Sequence, residues 1–407
     1  MADTIANSLS STGAPTSLHS RAPELLLVTS SFFPQATDST HRLLEFCQRF
    51  SKLGIRVTVL TEAKHKSWPA EIMLDRTRVV RVPRERSGGI LRRSQGNELR
   101  HWMNTNSHRF QAVYFDSPWQ RAHEYLLKDS HPEKTWTWMR FDVNQQAEQA
   151  SESTAAARVS PADQIALQKA SEVLVPNAAS QRALAAASSC KEINSQRIVD
   201  RSVSLIDRSI GARRNARLLL SETSQDLFLR QKDQFILIPG EFSPAWQIQF
   251  ALRALGPLLQ ASSHLRLWIL GEGRERKRVY RYLKDQSIHY AVSLPGVFTD
   301  VTELLQAVDL CLFPGESAGL SWWASVCAKS RIPMLLPKSA KVTGNLSKRG
   351  PAFDFDAGSV PSLREAVQSF QKDANALEQA CIQLQDSLLR SADTEQDTVE
   401  RIAQKLL

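Results

Sequence analysis

The sequence lacks any apolar run near the ~18 residues a helix needs to cross a bilayer, so no transmembrane helix is expected. Its first 22 residues, MADTIANSLSSTGAPTSLHSRA, also lack the apolar stretch of a secretory signal; rich in Ser, Thr and Ala, they read as a disordered tail. Cysteine is scarce. The five present (Cys47, Cys190, Cys311, Cys327 and Cys381) are odd in number and scattered, with no Cys-x-x-Cys or Cys/His spacing, which fits a reducing compartment and no structural metal. A Walker lysine, a Gly-x-Ser-x-Gly nucleophile elbow and a His-Glu-x-x-His pair are likewise missing. GEGRER carries Gly271 and Gly273 without the third glycine of a dinucleotide fingerprint, so a dehydrogenase is rejected. No short-period repeat is present, which excludes a solenoid.

What is there describes a globular chain. At 407 residues it exceeds what one hydrophobic core usually supports, so two domains are expected. Lys and Arg number 51 against 42 Asp and Glu, a formal charge of +9. The excess is densest between Arg76 and Ser94, where Arg76, Arg78, Arg81, Arg84, Arg86, Arg92 and Arg93 face a single glutamate. Such a stretch attracts anionic lipid, nucleotide or nucleic-acid phosphates, although a solvated loop and strand edge accounts for it as well. No nucleic-acid-binding motif accompanies it, so no nucleic acid partner is expected.

From Pro23 onward short apolar runs alternate with amphipathic stretches, the pattern of βαβ units. ELLLVTS (24–30) reads as a buried strand and IRVTVLTEA (55–63) as the next. Between them HRLLEFCQRFSKLG (41–54) puts Leu43, Leu44, Phe46, Cys47, Phe50 and Leu53 near one helical face, with Gly54 as a C-cap. Strand, helix and strand at this spacing imply a parallel sheet. Further strands are expected at 78–82, 112–116, 135–141 and 172–176, and the polar 143–160 stretch as a loop or weak helix. The charged stretch 207–234 has helical segments and reads as a connection. A second series then follows: strand at 234–240, helix at 250–261, strand at 265–273, and further alternation to Pro337. Helical sequence runs from Val360 to Leu407. The fold class is therefore α/β.

The segment from Ile238 to Pro337 resembles the donor half of the retaining, nucleotide-sugar-dependent glycosyltransferases of GT-B fold (glycosyl transferases group 1, family 4 like). That family ends one strand in Gly-Arg-x-x-x-x-Lys and a later one in Gly-x-Gly, and carries a Glu-x7-Glu motif after a buried strand. Gly240, LGEG (270–273) and FPGESAGLSWWAS (313–325) stand in those places in that order. LLLVTSSFFPQATDSTHRLLEFCQRFSKLGIRVTVLT (25–61) and SEVLVPNAASQRAL (171–184) are more weakly similar to the acceptor half.

The resemblance implies two Rossmann-like domains with parallel sheets facing a central cleft. The expected division is a tail at 1–22, an acceptor-side domain at 23–205, a connection at 206–233, a donor-nucleotide domain at 234–359 and a helical segment at 360–407, with a terminal helix crossing back to the first domain. It also implies transfer of a hexose from a nucleoside diphosphate sugar, as co-substrate, to a glycan or lipid-linked acceptor. No other cofactor and no metal are implied. Glu316 and His41 are the candidate catalytic residues; Gly240, Gly271, Gly273, Gly296, Gly319, Leu320 and Ser321 are the candidate donor-binding ones. Glu316 can equally be a helix N-terminal charge, and His41 a structural residue at a helix start. Asp38 or Thr40 is available to cap that helix.

The cleaved diphosphate gains charge in the transition state, so the site calls for cations, amides or a helix N-terminus. In GEFSPAW, Glu241 and Trp246 stand where the family has Arg and Lys, and Ala324 replaces the second glutamate of Glu-x7-Glu. A like charge beside a pyrophosphate in a partly desolvated cleft costs several kcal/mol, on the order of a hundred-fold in affinity or rate. Arg274, Arg276, Lys277 and Lys329 are candidate replacements. The alternative function is a non-catalytic GT-B protein that binds a glycan, nucleotide or partner enzyme. The expected location is the cytoplasm, with peripheral contact to anionic membrane through the seven arginines.

Overall fold

The computed structural model describes residues 22–35, 37–63, 65, 67–83, 101–103, 105–116, 136–141, 166–176, 178–187, 194–197, 205–223, 227–315, 321–339, 354–373, 379, 381–383 and 397–407. Two sheets organise them. The first has eight strands: β1 (Glu24–Val28), β2 (Arg56–Ala63), β3 (Glu71–Leu74), β4 (Thr77–Pro83), β5 (Ala112–Phe115), β6 (Trp136–Arg140), β7 (Glu172–Val175) and β8 (Ser195–Arg197). Their order is β3-β4-β2-β1-β5-β6-β7-β8. Every pairing is parallel except the β3–β4 hairpin at the edge. Central strands covered on both faces must be apolar throughout, and β1, β5 and β7 are buried at every position.

The second sheet orders β11 (Val292–Gly296), β10 (Leu265–Leu270), β9 (Gln234–Ile238), β12 (Leu310–Leu312), β13 (Met334–Pro337) and β14 (Asp354–Phe355), all parallel. Parallel neighbours need crossovers, which the helices supply. These are α1 (Asp38–Lys52), α2 (Ala178–Ala187), α3 (Ile210–Thr223), α4 (Ile248–Ala261), α5 (Arg276–Asp285), α6 (Thr302–Ala307), α7 (Ser321–Lys329), α8 (Val360–Lys372) and α9 (Thr398–Leu406).

The strands expected from sequence are present, while β3 and β8 have no clear signal in it. α1 starts three residues earlier than its apolar periodicity shows. Its N-cap is Thr37, whose hydroxyl accepts from the Thr40 amide, rather than Asp38 or Thr40. Gly54, at φ +79°, follows the helix end where a residue with a Cβ would be strained. α3 lies within the 207–234 stretch, where helical segments were expected, and its Ala216 and Leu220 join Phe235 and Trp268 in the second core.

The C-terminal stretch divides between the two halves. α8 buries Leu363, Val367 and Phe370 in the second core. α9 packs Val399, Ile402 and Ala403 against α1 and the first sheet, the return crossing expected from the resemblance. Asp397, fully buried, caps α9 through the amides of Val399 and Glu400 and pairs with Arg49 of α1 at 2.8 Å. Arg401 adds a pair with Glu172 of β7, at 2.7 Å. Asp397→Ala removes a cap and leaves the Arg49 guanidinium, largely out of solvent, without its carboxylate. It should lower unfolding stability by about 3–5 kcal/mol in urea titrations.

Candidate functional site

The parallel strands of the second sheet end in turns that touch one another. Gly240 follows β9, Gly271 to Gly273 follow β10, and Gly296 closes β11. The Gly271 amide donates to the Gly296 carbonyl at 2.7 Å, and the Phe242 amide to the Glu272 carbonyl at 3.2 Å. A Cβ on Gly271, at φ +94°, would collide with the Gly240 carbonyl oxygen. A Cβ on Gly240 would collide with the indole of Trp246. All four glycines thus stand together at the strand-end edge, and close packing excludes a Cβ at three of them: Gly240 against the Trp246 indole, and Gly271 and Gly273 against backbone.

Trp246, at the family's lysine position, lies in a single 3-10 turn, Pro244–Trp246, and is only 6% exposed, its ring covering Gly240. Ala324, at the position of the second glutamate, is fully buried in the second core. Glu241, half-buried, remains at the turn itself.

Of the substitute cations, Arg274 is exposed just after Gly273. Arg276 donates to the Leu294 carbonyl at 2.6 Å and lies 3.5 Å from Glu272. Lys277 is exposed on α5. Lys329, at the far end of α7, lies beside Asp309 and Pro333 on the opposite edge of the sheet and cannot serve these turns. Glu316, Gly319 and Leu320 lie outside the described residues; Ser321 opens α7.

From the first half, α1 meets α7. His41 is 5% exposed, stacked on Trp322 with ring centroids 5.2 Å apart and edge-on to Trp323 at 4.8 Å. Trp322 Nε1 donates to Glu45 Oε2 at 2.7 Å. A cavity of about 40 Å³ remains beside them, lined also by Gln48, Ile206 and Asp300. Burial holds the His41 imidazole down to about 4, because a charged ring would lose its hydration there. It is neutral at pH 7. Nothing in the sequence paired it with Trp322.

Behind α1, the Arg42 guanidinium binds both carboxylate oxygens of Asp116 at 2.7 Å, and Tyr114 donates to the same carboxylate at 3.0 Å. Asp116 follows β5 and Arg42 lies in the first turns of α1, so this buried network fixes α1 on the sheet edge. Sequence reasoning missed it, since the partners are 74 positions apart.

The basic stretch is also changed by the fold. Arg81 is 4% exposed and donates to the carbonyls of Pro69 and Phe33, at 2.9 and 2.8 Å. Arg78 is bound by both oxygens of Glu71. Neither is a free surface cation, whereas Arg76 is exposed. Arg84, Arg86, Arg92 and Arg93 lie outside the described residues. Among those described, no helix is long and apolar enough to cross a membrane and no metal-binding group is present. Asp354 and Asp356 form an Asp-x-Asp pair in the sequence, and Asp356 pairs with Lys338 at 2.7 Å. Cys47, Cys311, Cys327 and Cys381 are buried, and burial pushes the Cys47 thiol up to about 12, so it is no nucleophile.

Two sheets whose strand-end edges face a shared cleft decide the comparison. This is the GT-B fold. Sucrose-phosphate synthase from Thermosynechococcus elongatus superposes with a TM-score of 0.64 at 12% identity, over 94% of this chain and 97% of that one. HepE of Anabaena, in a structure with UDP and glucose, gives 0.61 at 16%, over 94% and 97%. TarM of S. aureus, solved with fondaparinux, alpha-GlcNAc-glycerol and UDP, gives 0.61 at 8%, over 94% and 98%. Residues 233–328 match the family described as glycosyl transferases group 1. No curated protein matches the sequence. The matched segment of this GT-B chain holds all four of these glycines and both tryptophans of α7.

The neutral His41 generates a pH test. Its folded value lies below the ordinary one near 6.5, so between that and about pH 4 the unfolded chain takes up a proton that the folded chain refuses. The stability contributed at neutral pH is therefore lost as pH falls through this window, by roughly 3 kcal/mol in all. Urea unfolding at pH 7 and at pH 4.5 should show His41→Phe losing less stability than the parent.

Proposed function

We propose that the chain binds a nucleoside diphosphate sugar in the cleft between its sheets and transfers the hexose to a glycan or lipid-linked acceptor. The observation that carries this is the cluster of glycine turns at the strand-end edge, inside the segment that matches the glycosyltransferase family. Amides of closely packed turns and the first turn of α7 suit a diphosphate. HepE and TarM, which share the fold, have been solved with UDP. Arg274 is the cation best placed, by its position after Gly273, to face the leaving diphosphate. His41, neutral and between two indoles, would bind or orient a sugar hydroxyl rather than supply a charge. The reading places the protein in the cytoplasm, with free thiols and an acceptor on a membrane or a glycan.

A second reading, a GT-B binding protein without turnover, is favoured by two specific observations. Glu241 holds an acid where the family has a guanidinium, and Trp246 is committed to covering Gly240. Titration with a panel of nucleoside diphosphate sugars, by calorimetry, followed by a hydrolysis assay with any binder, separates the readings. Binding with release of sugar supports the enzyme; binding without it supports the second reading; no binding by any donor removes the first. Glu241→Arg alone should tighten donor binding about ten-fold or more, by exchanging repulsion for a charge-assisted bond. Trp246 is left in place in that variant because a lysine there would unpack the turn.

A further inference from the structure

Helix α5 crosses from β10 to β11, the edge strand of the second sheet, and packs through Val279 and Leu283, which are buried. These two lie four residues apart and so on one side of the helix. Arg276, on the flank of that side, donates to the Leu294 carbonyl at 2.6 Å. The rotation of the helix is therefore fixed. Lys277, Arg278, Arg281 and Lys284 are left on the opposite side, and all four are exposed. At about 1.5 Å per residue they form a row roughly 10 Å long.

The row is short of acids. Glu275 lies 4.0 Å from Arg278, whose side chain is still 66% exposed. Glu272 stands against Arg276, outside the row. Asp285 ends the helix, and no acid follows between Gln286 and Thr299. The neighbouring α4, whose Gln260 donates to the Gln286 carbonyl at 2.9 Å, has no acid along its length. Among the described residues Lys277, Arg281 and Lys284 have no carboxylate partner. Like charges three and four positions apart on a helix repel one another, and an anionic surface laid against them removes that repulsion.

Aromatic rings accompany the cations. Tyr280 flanks the row, 48% exposed, with the Lys284 ammonium 4.9 Å from its ring centre. Tyr290, 58% exposed, follows the helix. A ring with a polar tip beside long basic side chains suits the headgroup level of a bilayer. A helix side is convex, whereas a site that tracks a nucleic-acid strand is a groove. The arginine-rich stretch singled out by sequence density differs in kind, since Arg78 is bound by Glu71 and Arg81 by backbone carbonyls.

We propose that the exposed side of α5 adsorbs the protein to an anionic phospholipid surface. Arginine and lysine dominate this side, so adsorption rests on charge and not on insertion of an apolar face. It is independent of whether a sugar is transferred in the cleft, because it needs only this helix and a plane of phosphates.

The test uses the full chain with vesicles of phosphatidylglycerol and phosphatidylcholine in equal parts, against phosphatidylcholine alone, read by co-sedimentation. The parent should bind the first and not the second. It should be released on going from about 0.1 M to about 1 M NaCl, as the screening length falls from about 10 to about 3 Å. Arg278→Gln, Arg281→Gln and Lys284→Gln in one variant should weaken binding about five-fold per cation, on the order of a hundred-fold together. Urea unfolding checks that this variant is folded. Arg278→Lys with Arg281→Lys keeps the charge and should bind as the parent does. No binding by the parent, equal binding by parent and glutamine variant, or loss of binding in the lysine variant overturns the proposal. So does variant-sensitive binding to a single-stranded oligonucleotide that exceeds vesicle binding at equal phosphate concentration, which assigns the row to nucleic acid.

Discussion

Glu45 and Trp322 lie 277 positions apart, and their 2.7 Å hydrogen bond ties the helix of the first half to the helix of the second. Around it the packing is aromatic. His41 is stacked on the same indole, and the space left beside them is small. The Glu45 carboxylate is tolerated there because it accepts from the indole N–H, and the imidazole because it is neutral. The width of the cleft, and so what enters it, depends on whether these first turns stay together.

Each helix is aligned for that meeting by its own sheet. Arg42 and Asp116 anchor α1 to the end of β5. α7 is held through Trp323, Ala324 and Cys327, which are fully buried in the second core. The terminal helix α9 then braces α1 from behind through Arg49 and Asp397. Among the described residues the chain enters the second half at Leu205 to Ser209 and is back on the first at Asp397, whose buried carboxylate pairs with Arg49. A buried pair of this kind adds little net stability but makes misplacement expensive, because a separated partner is left charged in a poor solvent.

On the donor side, the turns are packed so closely that side chains are excluded at Gly240 and Gly271. Backbone amides become the main polar surface offered there. Glu241 stands half-buried at this edge, and Arg274, exposed, follows Gly273.

The alternation of apolar runs with amphipathic stretches determined by itself that the chain is α/β with parallel sheets, because a strand buried on both faces has no choice of residue type. The glycines at 240, 271 and 273 marked strand ends for the same local reason. Other features were beyond a linear reading. Trp246 occupied a motif position but was turned inward by Gly240, and Ala324 and Lys329 were assigned by helix phase to a core and to the opposite edge. β3 is half exposed and β8 short, so neither carries a clear apolar signal. Arg81 looked like a surface cation until the carbonyls of Pro69 and Phe33 enclosed it. The site around His41 exists only once residues far apart in sequence are neighbours. Local pattern encodes which surfaces must be buried; what meets across a cleft is decided by how the two sheets and their crossings are placed.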